Sequence, residues 1–268
     1  MLVALGLTLI FGIMDILNFA HGEIYMLGAF STYYICSIFG FNYFVAVFCS
    51  MIVMGLFGVI IDRFLLKPVK RELLPSAIIS LGLIMLLQSG ALIVFGADEK
   101  AISFPISGII TFMGVRISAT RIMVSLVCVG LVIGLFLFIK LTKSGQSMLA
   151  VAQDKEIALS LGISTDRTSS LCMAIGFALA AAAGSLMGPL LSVHPYMGMS
   201  PLLKSFIIVV VGGLGSIPGT VIAALILGFV DSFITFFYDA SMASILGFAI
   251  VIFILLIRPA GLMGHAQK

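Results

Sequence analysis

Residues 204–238 read KSFIIVVVGGLGSIPGTVIAALILGFVDSFITFFY, two apolar runs on either side of a glycine-rich break. Residues 220–238 offer the roughly 20 apolar positions that a helix needs to cross the hydrocarbon core of a membrane. The break at residues 212–219 contains Pro218 and four glycines, which interrupt a helix. An interrupted backbone is tolerated at membrane depth only where it lines a cavity or is buried in protein. The stretch therefore predicts a discontinuous membrane helix at residues 204–220, with a simple kink as the alternative.

The composition of the whole chain has the same character. Of its 268 residues, 62% are hydrophobic and 9% are charged, and the mean hydropathy is +1.29. Ordinary globular chains are only about 45–50% apolar. So few charges cannot cover the surface of a soluble protein of this size, which excludes the soluble, disordered, disulfide-scaffold and nucleic-acid-binding classes. The composition predicts an all-α polytopic membrane protein, since backbone groups in lipid must be hydrogen-bonded within each segment.

Further apolar segments lie along the rest of the chain. Unbroken spans are expected at Tyr43–Ile61 and at residues 77–95, 122–139, 168–190 and 241–257. A second discontinuous helix is expected at residues 17–41, because Asn18, His21, Gly22 and Glu23 lie in its first part. Leu2–Met14 amounts to roughly 20 Å of helix against a core of about 30 Å. We expect it to be a first crossing truncated at Met1, with a half-helix buried in the bundle as the alternative.

The distribution of basic residues orients the bundle, since they favour the cytoplasmic side of a membrane. Three groups are assigned to that side: Arg63, Lys67, Lys70 and Arg71; Lys140, Lys143, Lys155 and Arg167; Arg258 and Lys268. Residues 98–121 and 191–204 then lie outside, which gives about eight or nine crossings. The outer loop at residues 98–120 alternates apolar and polar positions around Ser107-Gly108 and Met113-Gly114, and this pattern predicts a small β-hairpin. No connecting segment can hold a soluble domain, so residues 1–268 are interpreted as one transmembrane domain.

The inner segment at residues 141–167 differs from a plain loop. Asp154 can cap a short helix over residues 155–161 that Gly162 ends. Ile157 and Leu161 share one face of this helix, and Ala158 allows close approach of another surface. The pattern predicts a helix that docks into a groove of a soluble partner, with Ala158 and Gly162 small because that partner lies against them. A solvated connector is the alternative.

The sequence contains no enzymatic constellation. It has no GxxxxGK[ST] motif for ATP, and Gly213-Leu214-Gly215 follows no strand, so no cofactor is expected. The three histidines are far apart, and the four cysteines are interpreted as small buried apolar residues; they are His21, His194 and His265, and Cys36, Cys49, Cys128 and Cys172. Metal binding is therefore not expected. Asp231, His21 and Glu23 are ionisable groups at membrane depth, which favours a polar path or bracing of the bundle over a proton relay. Gly176, Ala180, Gly184 and Gly188 recur every fourth residue and predict close helix packing.

Three motifs together carry a resemblance to a known family. They are Gly6-Leu7-Thr8-Leu9-Ile10-Phe11-Gly12 followed by Asn18-Phe19-Ala20-His21-Gly22-Glu23, then Ala152-Gln153-Asp154 with Leu161-Gly162-Ile163, and finally residues 212–219, which read GGLGSIPG. In this order they resemble the LivH-type permease of bacterial branched-chain amino acid ABC importers. Leu149 departs from the family pattern, because relatives commonly carry an arginine there, and this puts one contact with the ATPase in doubt.

The resemblance implies a transmembrane domain like that of type II ABC importers, in the bacterial inner membrane. It also implies partners: a second, LivM-like permease subunit or a second copy of this chain, two cytoplasmic ATPase subunits that hydrolyse ATP, and a periplasmic or extracellular substrate-binding protein. The translocation path would then include Asn18, Phe19, His21, Gly22, Glu23, Gly212, Gly213, Gly215, Ser216, Pro218 and Gly219. The contact with the ATPase would include Asp154, Glu156, Ala158, Leu161, Gly162 and Ile163.

Two other functions stay open at the level of sequence. Broken helices are also typical of secondary transporters driven by an ion gradient, and a passive channel would have the same composition. Permeases of the same type also carry urea or short amides. A helix that docks an ATPase is the feature that separates the first interpretation from a carrier or a channel.

Overall fold

The computed structural model describes residues 1–69, 71–104, 108–112, 115–258 and 261–264. These residues form eleven α-helices, one π-helical turn and one two-stranded sheet. The helices are α1 Leu2–Met14, α2 His21–Phe39, α3 Tyr43–Ile61, α4 Leu73–Phe95, α5 Ala119–Leu141, α6 Lys143–Gln153, α7 Lys155–Ser160, α8 Thr165–Met187, α9 Met199–Gly212, α10 Ile217–Phe237 and α11 Ala240–Ile257. The π-helical turn Asp62–Leu66 continues α3.

Most of the predicted spans are helices in the structure. Tyr43–Ile61 is α3 residue for residue, and the other unbroken spans match α4, α5, α8, α10 and α11 to within four residues at each end. Among the described residues, five helices are long and apolar enough to cross a membrane: α3 with its π-helical turn, α4, α5, α8 and α10. Three shorter apolar stretches among the same residues are also helical: α1, α9, and Ile245–Ile254 within α11.

The two predicted discontinuous helices are not confirmed. α2 is unbroken from His21 to Phe39, so Asn18 lies in the connection before it. At the glycine-rich break the chain reverses direction, because a Cβ at Gly212 would meet Gly219 and Lys204 pairs with Asp231 farther along. The break is therefore the turn between two antiparallel helices, α9 and α10.

Outside the helices, the predicted hairpin is present between α4 and α5. β1 (Ile109–Phe112) and β2 (Val115–Ser118) are antiparallel, with Ile109 opposite Ser118 and Phe112 opposite Val115. Several residues named in the sequence-based predictions lie outside the described part of the chain: Lys70, Ser107, Met113, Gly114, His265 and Lys268.

The centre of the bundle is α8, which packs against α1, α2 and α3. Within its most apolar window 67% of the residues are buried, whereas the corresponding share is 11% in α4 and 22% in α5 and α10. Small residues allow this packing: a Cβ at Gly184 would overlap the carbonyl of Tyr25, and one at Gly58 would lie 2.8 Å from the carbonyl oxygen of Met173. The repeat of small residues on α8 is thus a packing surface, as predicted.

Candidate functional site

The conformation of the glycine-rich break requires glycine at two positions. Gly213 has φ of +100° and Gly215 has φ of +80°, a left-handed region that side chains with a Cβ rarely adopt. Ser216 then caps α10, because its hydroxyl accepts a hydrogen bond from the amide of Gly219 at 3.2 Å. Pro218 lies in the first turn of α10, where its missing N–H costs no helical hydrogen bond.

The break is held between the last turn of α1 and the segment that follows α11. A Cβ at Gly12 of α1 would lie only 2.8 Å from the Cα of Gly215. The amides of Leu262 and Met263 donate hydrogen bonds to the carbonyls of Val211 and Gly212, at 2.8 and 3.1 Å. A small cavity of about 30 Å³ separates the break from α6, with Met148, Leu149 and Gly215 in its walls.

The Asn18–Glu23 motif lies at the start of α2 and packs on α9. The Oδ1 of Asn18 accepts a hydrogen bond from the amide of Ala20 at 3.1 Å, and the amide of Phe19 donates to the hydroxyl of Ser80 at 3.1 Å. The ring of Phe19 lies 5.2 Å from the ring of Phe206. A Cβ at Gly22 would lie 2.6 Å from the carbonyl oxygen of Gly198, so α2 and the start of α9 are in backbone contact.

Two ionisable side chains of this motif are fully buried. His21 is 0% exposed, its ring lies 5.9 Å from that of Phe177, and it approaches the backbone of Val3. Among the described residues neither of its ring nitrogens has a hydrogen bond of ordinary geometry. Glu23 is also 0% exposed, and its Oε1 accepts a hydrogen bond from Nε2 of Gln88 at 2.8 Å. Its Oε2 is without a partner among the described residues, so the motif holds unused hydrogen-bonding capacity.

The structure places the two path motifs at opposite ends of α9 and not at one point. Gly22 contacts Gly198 before α9, and the break follows its last residue, Gly212. Most of the predicted path residues are buried within the chain: Asn18, His21, Gly22, Glu23, Gly212, Gly213 and Gly219. They line none of the wider described cavity, which has about 470 Å³ and lies between α9, α10 and α11.

The short helix predicted at residues 155–161 is present as α7. The Oδ1 of Asp154 accepts hydrogen bonds from the amides of Glu156 and Ile157, both at 2.9 Å. Gly162 has φ of +81°, which ends the helix as expected. Its exposed apolar side chains are Ile157 and Leu159, followed by Leu161 at its C-terminus, at 60%, 53% and 74% exposure.

Ala158 corrects one sequence-based expectation. Ala158 is only 1% exposed, and its carbonyl accepts a hydrogen bond from the amide of the half-buried Ile163 at 3.0 Å. The alanine is therefore small because its own chain covers it, and the expectation that a partner lies against it is wrong. Nothing lies within 4 Å of a Cβ at Gly162, so that glycine is required by its backbone conformation.

A network of charges between the segment after α3 and the start of α8 was not found from the sequence. Arg71 forms two hydrogen bonds with the carboxylate of Asp62, both at 2.9 Å, and one with Asp166 at 2.8 Å. Asp62 is 0% exposed, and Ser170 donates to it at 2.6 Å. Burial by itself lowers the pKa of Arg71, but the hydrogen bonds to the two carboxylates outweigh it and raise the pKa above its ordinary value. The network ties the loop after α3 to the first turns of α8.

The sequence offered no direct signal for this network. Its basic members were assigned to the cytoplasmic side from the distribution of basic residues along the chain. The pairing of Asp62 with Arg71 depends on the turn between them, and the geometry of that turn could not be predicted from the sequence. Asp231 was recognised as an ionisable residue at depth, and the structure adds its partner: Nζ of Lys204 lies 2.9 Å from Oδ2 of Asp231. Within the described part of the chain, no group of histidine, cysteine, aspartate or glutamate could hold a metal ion.

Fold and site together define a class of protein. Five apolar helices are long enough to cross a membrane, the central helix α8 packs against α1, α2 and α3, and the short capped helix α7 carries exposed apolar side chains. This is a multi-pass helical membrane protein without a soluble domain among its described residues.

Comparison with known proteins gives the family. The chain belongs to the family described as branched-chain amino acid transport system, permease component, which it matches over residues 1–255. It is 31% identical over 281 residues to the high-affinity branched-chain amino acid transport system permease protein LivH of Escherichia coli K12, an alignment covering 99% of this chain and 91% of that one. It is 33% identical over 282 residues to the permease protein BraD of Pseudomonas aeruginosa, covering 99% and 92% of the two chains.

An archaeal relative extends the comparison. The chain is 28% identical over 289 residues to a probable branched-chain amino acid transport permease protein LivH of Methanocaldococcus jannaschii, covering 100% of this chain and 89% of that one. No solved structure matches the chain.

Proposed function

We propose that the chain is the membrane-spanning permease subunit of an ATP-driven importer of branched-chain amino acids in the bacterial inner membrane. The family match over residues 1–255 carries this proposal. The named cargo of the relatives supports branched-chain amino acids as the cargo here. The chain forms the path together with a second permease subunit or a second copy of itself. Two cytoplasmic ATPases supply the energy, and an external binding protein delivers the amino acid.

Nine crossings are proposed, formed by α1–α5 and α8–α11. Contacts between neighbouring helices support alternating directions. The thiol of Cys172 donates to the carbonyl of Leu9, while a Cβ at Gly6 would meet Gly176, so α1 and α8 run antiparallel. The π-helical turn, α6 and α7 then lie on the cytoplasmic side with most of the basic residues, and the β-hairpin lies outside.

The segment at residues 141–167 is proposed to receive the ATPase. The exposed apolar side chains on α7 support this role, because a solvated connector needs none, and they suit a hydrophobic groove of a soluble partner. Asp154 and Gly162 set the bounds of α7, and Glu156 and Ile163 are proposed to take part in the same contact. Force on α7 and α6 reaches the break through the wall formed by Met148 and Leu149. The residues of the Asn18–Glu23 motif and of the break are proposed to rearrange as the path opens.

Uptake into proteoliposomes tests this function. The permease is reconstituted with its partner permease and ATPases, ATP is enclosed, and binding protein with labelled leucine is added outside. We expect uptake that requires internal ATP and binding protein and that persists when an uncoupler collapses ion gradients. Competition with unlabelled isoleucine, valine, urea and acetamide identifies the cargo, and only the amino acids are expected to compete.

A different outcome would favour the other functions. Uptake that an uncoupler abolishes and that proceeds without ATP would indicate a gradient-driven carrier. Equilibration of leucine in both directions without energy would indicate a channel. Competition by urea or acetamide alone would retain the importer but replace its cargo.

A further inference from the structure

The connection between α7 and α8 is short and is closed by its own hydrogen bonds. Residues 161–164 form the whole connection. The amide of Ile163 donates a hydrogen bond back to the carbonyl of Ala158 at 3.0 Å. The hydroxyl of Ser164 caps α8 by accepting a hydrogen bond from the amide of Arg167 at 3.4 Å. Because the connection is hydrogen-bonded at both ends, α7 and the first turn of α8 form one structural unit.

Arg71 joins this unit to the end of α3. Its Nη1 donates to Oδ1 of Asp166, in the first turn of α8, at 2.8 Å. Its Nε and Nη2 donate to the two carboxylate oxygens of Asp62, both at 2.9 Å. Ser170, one turn farther along α8, donates to Oδ2 of Asp62 at 2.6 Å. The π-helical turn after α3 and the start of α8 are therefore linked by two routes, one through Arg71 and one through Ser170.

The backbone also holds Arg71 in place. The segment after α3 folds back on itself, since the amide of Lys67 donates to the carbonyl of Asp62 at 2.8 Å and the amide of Arg71 donates to that of Leu66 at 3.1 Å. The side chain of Arg71 is 8% exposed and that of Asp62 is 0% exposed. The donors of a guanidinium are fixed relative to one another in a planar fork. Arg71 therefore imposes a defined orientation on the two carboxylates that it joins.

This linkage lies between the exposed side chains of α7 and the first close crossing of α8. Just beyond Ser170, α8 is in backbone contact with α3, because a Cβ at Gly58 would lie 2.8 Å from the carbonyl oxygen of Met173. Buried charge pairs add little net stability compared with well-packed apolar side chains of the same volume. Their charge-assisted hydrogen bonds are strong and directional. What the linkage supplies is thus a fixed orientation of α8 against the end of α3.

We propose that Arg71 is a positioning residue for coupling, which makes the end of α3 move with α8 when an ATPase displaces α7. With the linkage cut, α8 bends at its start, and the movement of α7 is lost before it reaches the crossing of α3 and α8. ATP is then hydrolysed without transport. The inference rests on the proposed function and adds the residue through which movement of the ATPase enters the bundle.

The ratio of ATP hydrolysed to leucine transported tests this role. The permease is reconstituted in proteoliposomes with its partner permease, ATPases and binding protein, and both rates are measured in the same preparation. Arg71→Met is expected to raise the ratio about twofold to thirtyfold, the range typical of changes within coupling networks. Ser170→Ala removes one hydrogen bond and leaves the ion pair, so it is expected to raise the ratio about twofold to fivefold. It keeps the test valid if Arg71→Met fails to assemble.

The double variant Asp62→Asn/Arg71→Met separates positioning from stability. It leaves no buried charge unpaired, so it regains part of the thermal stability that Arg71→Met loses. It does not restore the hydrogen bond to Asp166. The ratio is therefore expected to stay as high as in Arg71→Met, although the unfolding midpoint rises. A higher midpoint together with the wild-type ratio would show that Arg71 only stabilises the fold, and would overturn the proposal.

Lys67→Met is the matched control. Lys67 pairs with the same carboxylate of Asp166, at 2.6 Å, but its side chain is 52% exposed. Removing it leaves the hydrogen bonds of Arg71 and Ser170 in place. Because exposed ion pairs contribute little, the ratio is expected to stay at the wild-type value. A ratio raised as much as in Arg71→Met would assign the effect to surface charge and would overturn the proposal.

The outcomes separate the role of Arg71 from the proposed function. Wild-type uptake of leucine without ATP would overturn the function and the positioning role with it. ATP-dependent uptake with one ratio in wild type, Arg71→Met and Ser170→Ala would keep the function and overturn the positioning role. Loss of the ATPases from the purified double variant would place Arg71 in the ATPase contact and would also overturn it. A raised ratio in all three variants, with the ATPases still bound, would establish it.

Discussion

Asp62 is a buried carboxylate in the π-helical turn that continues α3, and Arg71 compensates its charge. Two hydrogen bonds at 2.9 Å join the two side chains, and the Arg71 side chain is only 8% exposed. Breaking a buried pair by removing one member leaves an uncompensated charge. The backbone of Arg71 is also in the left-handed region, with φ of +54°. The hydrogen bonds of the Arg71 side chain to Asp62 and Asp166 compensate this backbone strain.

Arg71→Met is therefore expected to destabilise the protein by about 3–5 kcal/mol. Removing both charges, in Asp62→Asn/Arg71→Met, should recover part of that loss, because no unpaired charge remains. The measurement is the thermal unfolding midpoint of the detergent-solubilised protein.

Lys67→Met is the control for this prediction. Its partner Asp166 is 51% exposed, and exposed ion pairs contribute only about 0–1 kcal/mol. If Lys67→Met and Arg71→Met lowered the midpoint equally, the buried pair would have no special role.

At the scale of elements, α8 depends on residues without side chains at its crossings. Gly184 meets the backbone of Tyr25, and Ala181 meets Gly28. Helices in lipid gain little from burying apolar area against each other, so close van der Waals contact has to hold them together. Any added atom at these crossings separates α2 from α8.

Gly184→Ala is expected to cost about 1–3 kcal/mol, because the new methyl group overlaps the carbonyl of Tyr25. Gly130→Ala on α5 is the matched change, since nothing lies within 4 Å of its Cβ position. It should be neutral or slightly stabilising, because alanine favours helix over glycine. The measurement is the thermal unfolding midpoint of each variant, compared at equal expression. Equal midpoints for Gly184→Ala and Gly130→Ala would contradict the prediction.

α7 is the second element whose role follows from its exposed face. Ile157→Asp or Leu161→Asp is expected to weaken ATPase association about tenfold to a hundredfold, since each removes one buried apolar side chain from the interface. Lys155→Glu should change it much less. Co-purification of the ATPases with permease inserted at normal levels is the measurement.

Ala158→Trp belongs to a different category of effect. Because Ala158 is buried in its own chain, the larger side chain should lower the stability of the permease itself.

Undiminished co-purification of the ATPases with both the Ile157→Asp and the Leu161→Asp permease would show that α7 is only a solvated connector.

At the scale of the whole molecule, the proposed topology rests on the order of the helices and on the basic residues. It places α7 inside and the β-hairpin outside, so that Lys155 and Glu99 are expected on opposite sides of the membrane. Both are exposed, so reagents can reach them.

Labelling with a membrane-impermeant maleimide tests this arrangement. The native cysteines are first replaced by alanine: Cys36, Cys49, Cys128 and Cys172. Glu99→Cys should then react in intact cells, and Lys155→Cys only in inverted vesicles. The reverse pattern would overturn the orientation and with it the cytoplasmic assignment of α7.

Local patterns in the sequence determined the positions of the long helices, the ends of α7 and the packing face of α8. Apolar length predicted the spans, since crossing a membrane imposes a minimum number of residues on each helix. Asp154 and Gly162 predicted the ends of α7, because capping and a left-handed backbone are properties of single residues and their nearest neighbours. The repeat from Gly176 to Gly188 predicted the packing face of α8 for the same reason.

The tertiary structure alone decided what meets across long separations. The break at residues 212–219 is a turn of a helical hairpin, because α9 and α10 pack antiparallel, and a run of glycines is compatible with either a turn or an interrupted helix. Ala158 is covered by its own chain, although its pattern equally suited a partner. Asp62 with Arg71, and Lys204 with Asp231, are pairs whose members approach only after helices pack. Such contacts depend on the orientation of whole helices, and the local preferences of the residues do not contain that information.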